Sequence, residues 1–191
     1  MMSFTSRAIA ISVCAFLFFC QAGTIYAFSL SSPEKKGIAL SAGSSYDPEP
    51  TFSFLQLSLS ALYDYESIWG HQAPAPLKFK LESNLGGADW SGTRLLASFN
   101  FYALYYLQAL ETRTIRPYIE GGVGIVYTDF QVEGQGLRVN FNPQAGIGCE
   151  WQINPATTLF GTLHAYHISN GGLDDDNRGI NGVLFQVGSF F

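Results

Sequence analysis

The sequence predicts an all-β fold, an eight-stranded antiparallel transmembrane β-barrel, and three observations predict it. Apolar and polar residues alternate with period two along most of the chain after residue 27. Past that point no apolar run approaches the roughly 20 residues that a spanning helix needs. The alternating segments number eight, the smallest usual count for an outer-membrane barrel.

The N-terminal 27 residues follow a different pattern. Arg7 precedes an almost unbroken apolar run from Ala8 to Phe19, and small and polar residues follow as far as Ala27. That is the layout of a secretory signal peptide, and the run is too short for a membrane anchor. Cleavage near Ala27 is expected, giving a signal peptide over residues 1–27 and one barrel domain over residues 28–191. Phe18 and Phe19 stand before Cys20, where a lipoprotein signal keeps small residues. With Cys14 and Cys20 removed, Cys149 is left alone, so the mature chain has neither an internal disulfide nor a thiol cluster for zinc. The 191 residues carry a net charge of −5 with no basic stripe, which excludes a nucleic-acid partner.

The eight segments lie at about 37–46, 52–64, 77–86, 93–107, 116–129, 138–152, 157–169 and 180–191, separated by Gly, Pro, Asn and Asp clusters. In the third, Phe79, Leu81 and Leu85 oppose Lys78, Lys80, Glu82 and Asn84. In the fourth, Leu95, Ala97, Phe99 and Phe101 oppose Arg94, Ser98, Asn100 and Tyr102. In the fifth, Ile119, Val123 and Ile125 oppose Tyr118, Glu120 and Gly122.

Alternation alone also suits a soluble lipocalin-like barrel, with its apolar face inside. Three features favour the membrane. Aromatics gather near segment ends (Tyr63, Tyr65, Tyr105, Tyr106, Tyr127, Phe130, Trp151) as interfacial girdles would. The polar face carries Lys78, Lys80 and Arg94 against Glu82, Glu120 and Glu150, charges a narrow interior could pair. The chain ends in an alternating strand with a terminal aromatic, Phe191, which is similar to the ends of outer-membrane barrels. An even strand count brings both termini to the periplasmic side. The stretches 131–137 and 170–179 then face outward. The stretch 66–76 is longer than a periplasmic turn usually is.

The seventh segment carries the chemistry. Leu159, Gly161, Leu163, Ala165, His167 and Ser169 share one face; Thr158, Phe160, Thr162, His164 and Tyr166 share the other. The first set continues the lipid-facing surface, so His167 and Ser169 are expected to point outward at the upper end of the wall. Side chains at i and i+2 on a strand are neighbours, their α-carbons roughly 6 to 7 Å apart, so an imidazole can reach a hydroxyl. A base and a nucleophile need that geometry. The pattern H-x-S is common by itself, and two polar residues where a strand enters the headgroup layer would look the same.

The stretch HISNGGLDDDNRGIN, from His167 to Asn181, resembles the lipid A 3-O-deacylases of the PagL type, which are eight-stranded outer-membrane esterases. RPYIEGGVGIVYTDF and NFNPQAGIGCEW upstream add to the likeness, which covers residues 116–191 well and the first half only in size and strand pattern. The resemblance implies Ser169 as nucleophile, His167 as general base and Asn170 as a group that helps stabilise the oxyanion. It implies a Glu as third member of the triad, twelve residues beyond the serine, and here that position is Asn181. An amide can fix the imidazole tautomer, but unlike a carboxylate it cannot neutralise the imidazolium formed during attack. Asn181 shares the outer face with Val183 and Phe185. Asp174, Asp175 and Asp176 are alternative carboxylates, although a solvated loop tip accounts for them too.

The implied substrate is lipid A or lipopolysaccharide in the outer membrane, with release of the acyl chain at the 3-position. No metal or organic cofactor is implied, and a homodimer is an allowed assembly. Two rival readings stay open: a non-catalytic small outer-membrane barrel with a structural or adhesin role, and a phospholipid acyl hydrolase. His164 has the opposite parity to His167 and is expected inside the barrel.

Overall fold

The computed structural model describes residues 31–191. The expected signal peptide, with Cys14 and Cys20, lies outside the described residues. Strands β1 (Lys35–Asp47), β2 (Ser53–Asp64), β3 (Leu77–Asp89), β4 (Thr93–Tyr106), β5 (Ile115–Thr128), β6 (Val139–Phe141), β7 (Gln144–Asn154), β8 (Thr157–Ile168) and β9 (Ile180–Phe190) follow in order. All pairings are antiparallel; β1 joins both β2 and β9, and β4 joins both β3 and β5, so the sheet closes on itself. Strands β6 and β7 share the partner β5 and form two halves of one stave, broken at Asn142 and Pro143. A proline has no N–H for the ladder, and Pro143 serves the neighbouring strand through its carbonyl, which accepts from His167 N at 3.0 Å. The wall therefore has the eight staves that the alternation predicts.

Apart from β6 the strands are 11 to 14 residues long, enough for a tilted strand to cross the hydrocarbon core with roughly 9 to 11. Leu40, Leu57, Leu85, Ile125, Leu163 and Phe185 stand exposed around the outside. In water such a band would aggregate, whereas in a bilayer it is the favourable surface.

The interior is built in three layers. At the outer end Phe52, Phe54, Leu96, Val126, Phe130, Tyr166 and Ile180 form an apolar plug. At the inner end, which carries both barrel termini, Leu62, Leu104, Tyr106 and Tyr118 form a second cluster, beside the stacked rings of Phe160 and Phe190 at 4.3 Å. Between them lies a polar middle. There Lys80 Nζ meets Glu120 at 2.7 Å and Glu82 at 3.5 Å, His164 Nε2 donates to Glu120 Oε1 at 2.6 Å, and Gln186 Nε2 donates to Glu82 at 3.2 Å. Buried charges are tolerated when each has a partner.

The structure revises some of the expected pairings and girdle positions. Lys78 pairs with Glu34 and Asp64 at the inner rim instead of inside, Arg94 is exposed at the outer rim, and Glu150 takes Lys35 at 2.7 Å. Tyr105, Tyr127 and Trp151 are exposed on the wall as girdle residues should be. Tyr106 turns inside and donates to Glu150 at 2.6 Å, and Phe130 belongs to the outer plug. Both rings sit at strand ends, where position alone does not separate a girdle from a plug.

The long connection between β2 and β3 contains a short helix, α1 (Tyr65–Trp69). Asp64 caps its N-terminus by accepting from Ser67 N at 3.1 Å, and Gly70 ends it with φ of 67°. Trp69 from this turn covers Phe79 edge-on at 5.6 Å. The extra length thus shields an outward ring at the inner interface.

Candidate active site

Strand β8 climbs to the outer rim with Thr158, Phe160, Thr162, His164, Tyr166 and Ile168 buried inside and Leu159, Leu163 and Ala165 exposed outside. His167 and Ser169 continue the outer set and are half-buried. Just above the end of β8, Ser169 forms an isolated bridge with Phe141 of β6: Phe141 N donates to Ser169 O at 2.8 Å, and Ser169 N donates to Phe141 O at 3.1 Å. With the N–H of His167 also donating to Pro143 O, the backbones of His167 and Ser169 are both held by the sixth stave, and the wall aims their side chains.

His167 lies directly opposite Asn181 in the β8–β9 ladder. Its Nδ1 is 2.7 Å from Asn181 Oδ1. A carbonyl oxygen only accepts, so Nδ1 carries the proton and Nε2 is left with its lone pair. Gly179 lies against the same ring, and a Cβ there would collide with it. The imidazole is therefore clamped between an amide and a bare stretch of backbone. Ser169 Oγ, on the same face two residues beyond His167, takes part in none of the described hydrogen bonds.

Asn170 falls on the opposite face and is buried. Its amide Nδ2 donates to Asp176 O at 2.8 Å, its Oδ1 accepts from Gly172 N at 2.8 Å, and its own N–H donates to Asn177 Oδ1 at 2.8 Å. Asn170 thus folds the loop over 170–179 around itself, with Gly171 and Gly172 at φ of 65° and 81°. That loop is latched to the 129–138 loop, where Arg178 N donates to Gly134 O at 2.7 Å.

Among the three loop aspartates, Asp174 accepts from Asp176 N at 2.9 Å and serves the turn. The carboxylate that does reach the site comes from the far end of the sequence. Asp47, at the outer end of β1, accepts from Asn181 Nδ2 at 2.8 Å and pairs through its other oxygen with Arg178. Simple alternation would put Asp47 inside with Ser41 and Ser45, but β1 has a bulge between Ser45 and Asp47 that turns it outward, opposite Asn181. Sequence reasoning missed it for that reason. The signal available was closure itself, which must bring the upper end of the first strand beside the start of the last.

An apolar groove of about 580 Å³ lies lower on the same wall, bounded by Ile119, Ile147, Trp151, Leu163, Phe185 and Val187. Cys149 lines it as a small wall residue. Its lining is suited to lipid chains, and His167 and Ser169 stand above it at the rim. Among the described residues no three His, Cys, Asp or Glu side chains gather closely enough to hold a metal ion.

No curated protein matches the chain at a significant level. The barrel is similar to the crystal structure of the outer membrane enzyme PagL, with a TM-score of 0.59 and 20% identity over 80% of this chain and 97% of that one. It is equally similar to Neisserial surface protein A, with a TM-score of 0.62 and 12% identity over 82% and 94% of the two chains. At such identities these likenesses show a shared fold and leave the chemistry to the residues. The family model for lipid A 3-O-deacylase (PagL), in contrast, matches residues 55–189, from β2 into β9. With well over half of its length inside that pattern, the chain is an outer-membrane barrel of the lipid A 3-O-deacylase family.

Proposed function

We propose that the protein is an outer-membrane serine esterase that removes the 3-O-linked acyl chain of lipid A, with Ser169 as nucleophile and His167 as general base oriented by Asn181. The observation that carries this reading is the 2.7 Å contact from His167 Nδ1 to Asn181 Oδ1, made on the outer wall beside a free serine hydroxyl. It fixes the tautomer that leaves Nε2 basic.

His167 Nε2 takes the proton of Ser169 Oγ as that oxygen attacks the ester carbonyl. The tetrahedral intermediate collapses when the imidazolium returns the proton to the departing sugar oxygen, leaving an acyl-enzyme. Water, deprotonated by His167, then attacks the acyl group and releases the fatty acid. Asn170 supports the oxyanion by shaping the turn after Ser169, and the N–H of Gly171, two residues beyond the nucleophile and in none of the described hydrogen bonds, is the backbone donor assigned to it. The substrate approaches sideways along the wall. All three side chains belong to one chain, so the site does not depend on a homodimer.

The test is mass spectrometry of lipid A from cells with and without the protein, repeated with Ser169→Ala, alongside a phospholipid acyl-release assay on the purified barrel. Loss of a 3-linked chain only when Ser169 is intact supports the reading. An unchanged lipid A profile with phospholipid cleavage would shift the substrate, and silence in both assays would leave a non-catalytic barrel.

A further inference from the structure

We propose that Asp47 is a positioning residue of the site, acting through Asn181 to hold the imidazole of His167 in its working tautomer and to supply the negative charge that no residue in contact with the imidazole provides. This inference rests on the assignment of His167 as base. The argument begins with the two ends of the Asn181 amide. A carboxylate can only accept, so the amide end at 2.8 Å from Asp47 Oδ2 must be the NH2 group. The carbonyl end is thereby forced toward His167 Nδ1, 2.7 Å away. Without Asp47 the amide could flip, present NH2 to the ring and draw the proton to Nε2. The base would then be lost with no change in backbone.

The same chain of contacts carries charge. Asp47, Asn181 and His167 stand side by side at the outer rim on three adjacent strands, β1, β9 and β8. When Nε2 is protonated, the imidazolium has an amide dipole against it, and that dipole is oriented by a carboxylate one residue further on. Arg178 pairs with the other oxygen of Asp47, which fixes the rotamer of the carboxylate and offsets part of its charge. The bulge in β1 is needed for all of this, since it turns Asp47 to the outer face. Asp47 also lies upstream of residues 55–189, outside the stretch that matches the family. The arrangement puts a carboxylate behind the base from outside the stretch that matches the family.

The inference separates from a plain loop-bracing role of the pair Asp47 and Arg178 by a double-mutant comparison on the purified full barrel in detergent with lipid A. Asp47→Asn should lower kcat by about 10- to 100-fold, less than the roughly 10⁴-fold seen when a carboxylate touching a triad histidine is lost because Asp47 acts through Asn181, with KM unchanged. Asp47→Glu should recover most of the loss. In an Asn181→Glu background, where a carboxylate meets the ring directly and lies beside Asp47, Asp47→Asn should cause no loss of kcat, because the ring no longer depends on Asp47 and the coupling that is left is repulsive. An equal loss in both backgrounds, or no loss in the native one, would overturn the proposal. Heat-modifiable migration in gels checks that each barrel is folded.

A second readout does not need turnover. The 15N shifts of the His167 ring should report one tautomer, protonated at Nδ1, in the native protein and a mixture in Asp47→Asn. If the native chain releases no acyl group but the tautomer still depends on Asp47, the assignment of substrate fails and the positioning role stands. If turnover is seen and the tautomer is indifferent to Asp47, the positioning role fails alone.

Discussion

Two histidines three residues apart on β8 face opposite sides of the wall, and the better-furnished one is on the inside. His164 is fully buried and donates directly to the Glu120 carboxylate, with Lys80 against the same group. His167 is half-buried at the rim, and its ring meets an amide whose carboxylate lies one residue further away. The hydroxyl beside His164 on its face, Thr162, is taken up by a hydrogen bond with Tyr118, and apolar layers separate His164 from both ends of the lumen. A histidine with a carboxylate inside a barrel is part of the scaffold, and one with a hydroxyl on the outer wall can meet a lipid.

The comparison can be broken most sharply at His167. His167→Ala should lower kcat for acyl release by about 10³-fold or more, as losses of a triad base do, while the barrel still folds and resists denaturation like the native protein. Lys80→Met should do the reverse. Removing one partner of a buried charge cluster costs about 3 to 5 kcal/mol, so the unfolding midpoint in urea should fall while turnover per folded molecule is kept. A turnover defect in Lys80→Met that survives correction for folded fraction would mean that the inner network reaches the site. Gly179→Ala pushes a methyl group against the ring of His167, and about a 10-fold loss of kcat with unaltered stability is expected from a small misplacement of the base. The smallest effect is a gain. Asn181→Glu brings the carboxylate into direct contact, and kcat should rise by roughly 2- to 5-fold; a fall would show that Asp47 and a new glutamate repel one another more than the ring benefits.

Period-two alternation made most of the wall legible, because one face must be apolar along every stave and a one-residue slip would invert it. That is why the outward aim of His167, Ser169 and Asn181 could be read from parity, and why His164 could be assigned to the interior. The reading was weakest where the period is interrupted. The sixth stave is broken at Asn142 and Pro143, and Pro143 sits where an uninterrupted strand was expected. The bulge before Asp47 inverts the face of a single residue, and no pattern of four to eight residues records such an event. Asn170 was assigned a place by resemblance, and its contacts are those of a residue that builds a loop. The turn over 66–76 had its caps, Asp64 and Gly70, in plain sight. A helix of five residues is too short for its periodicity to register.

The two apolar layers that close the lumen have a consequence for kinetics. With the interior sealed from both sides, substrate and product travel in the plane of the leaflet, and encounter is a search in two dimensions. The reaction rate should therefore follow the mole fraction of lipid A in the surrounding lipid and be indifferent to its amount per volume of suspension. Diluting lipid A with inert lipid at constant total lipid A should slow release, and adding buffer should not.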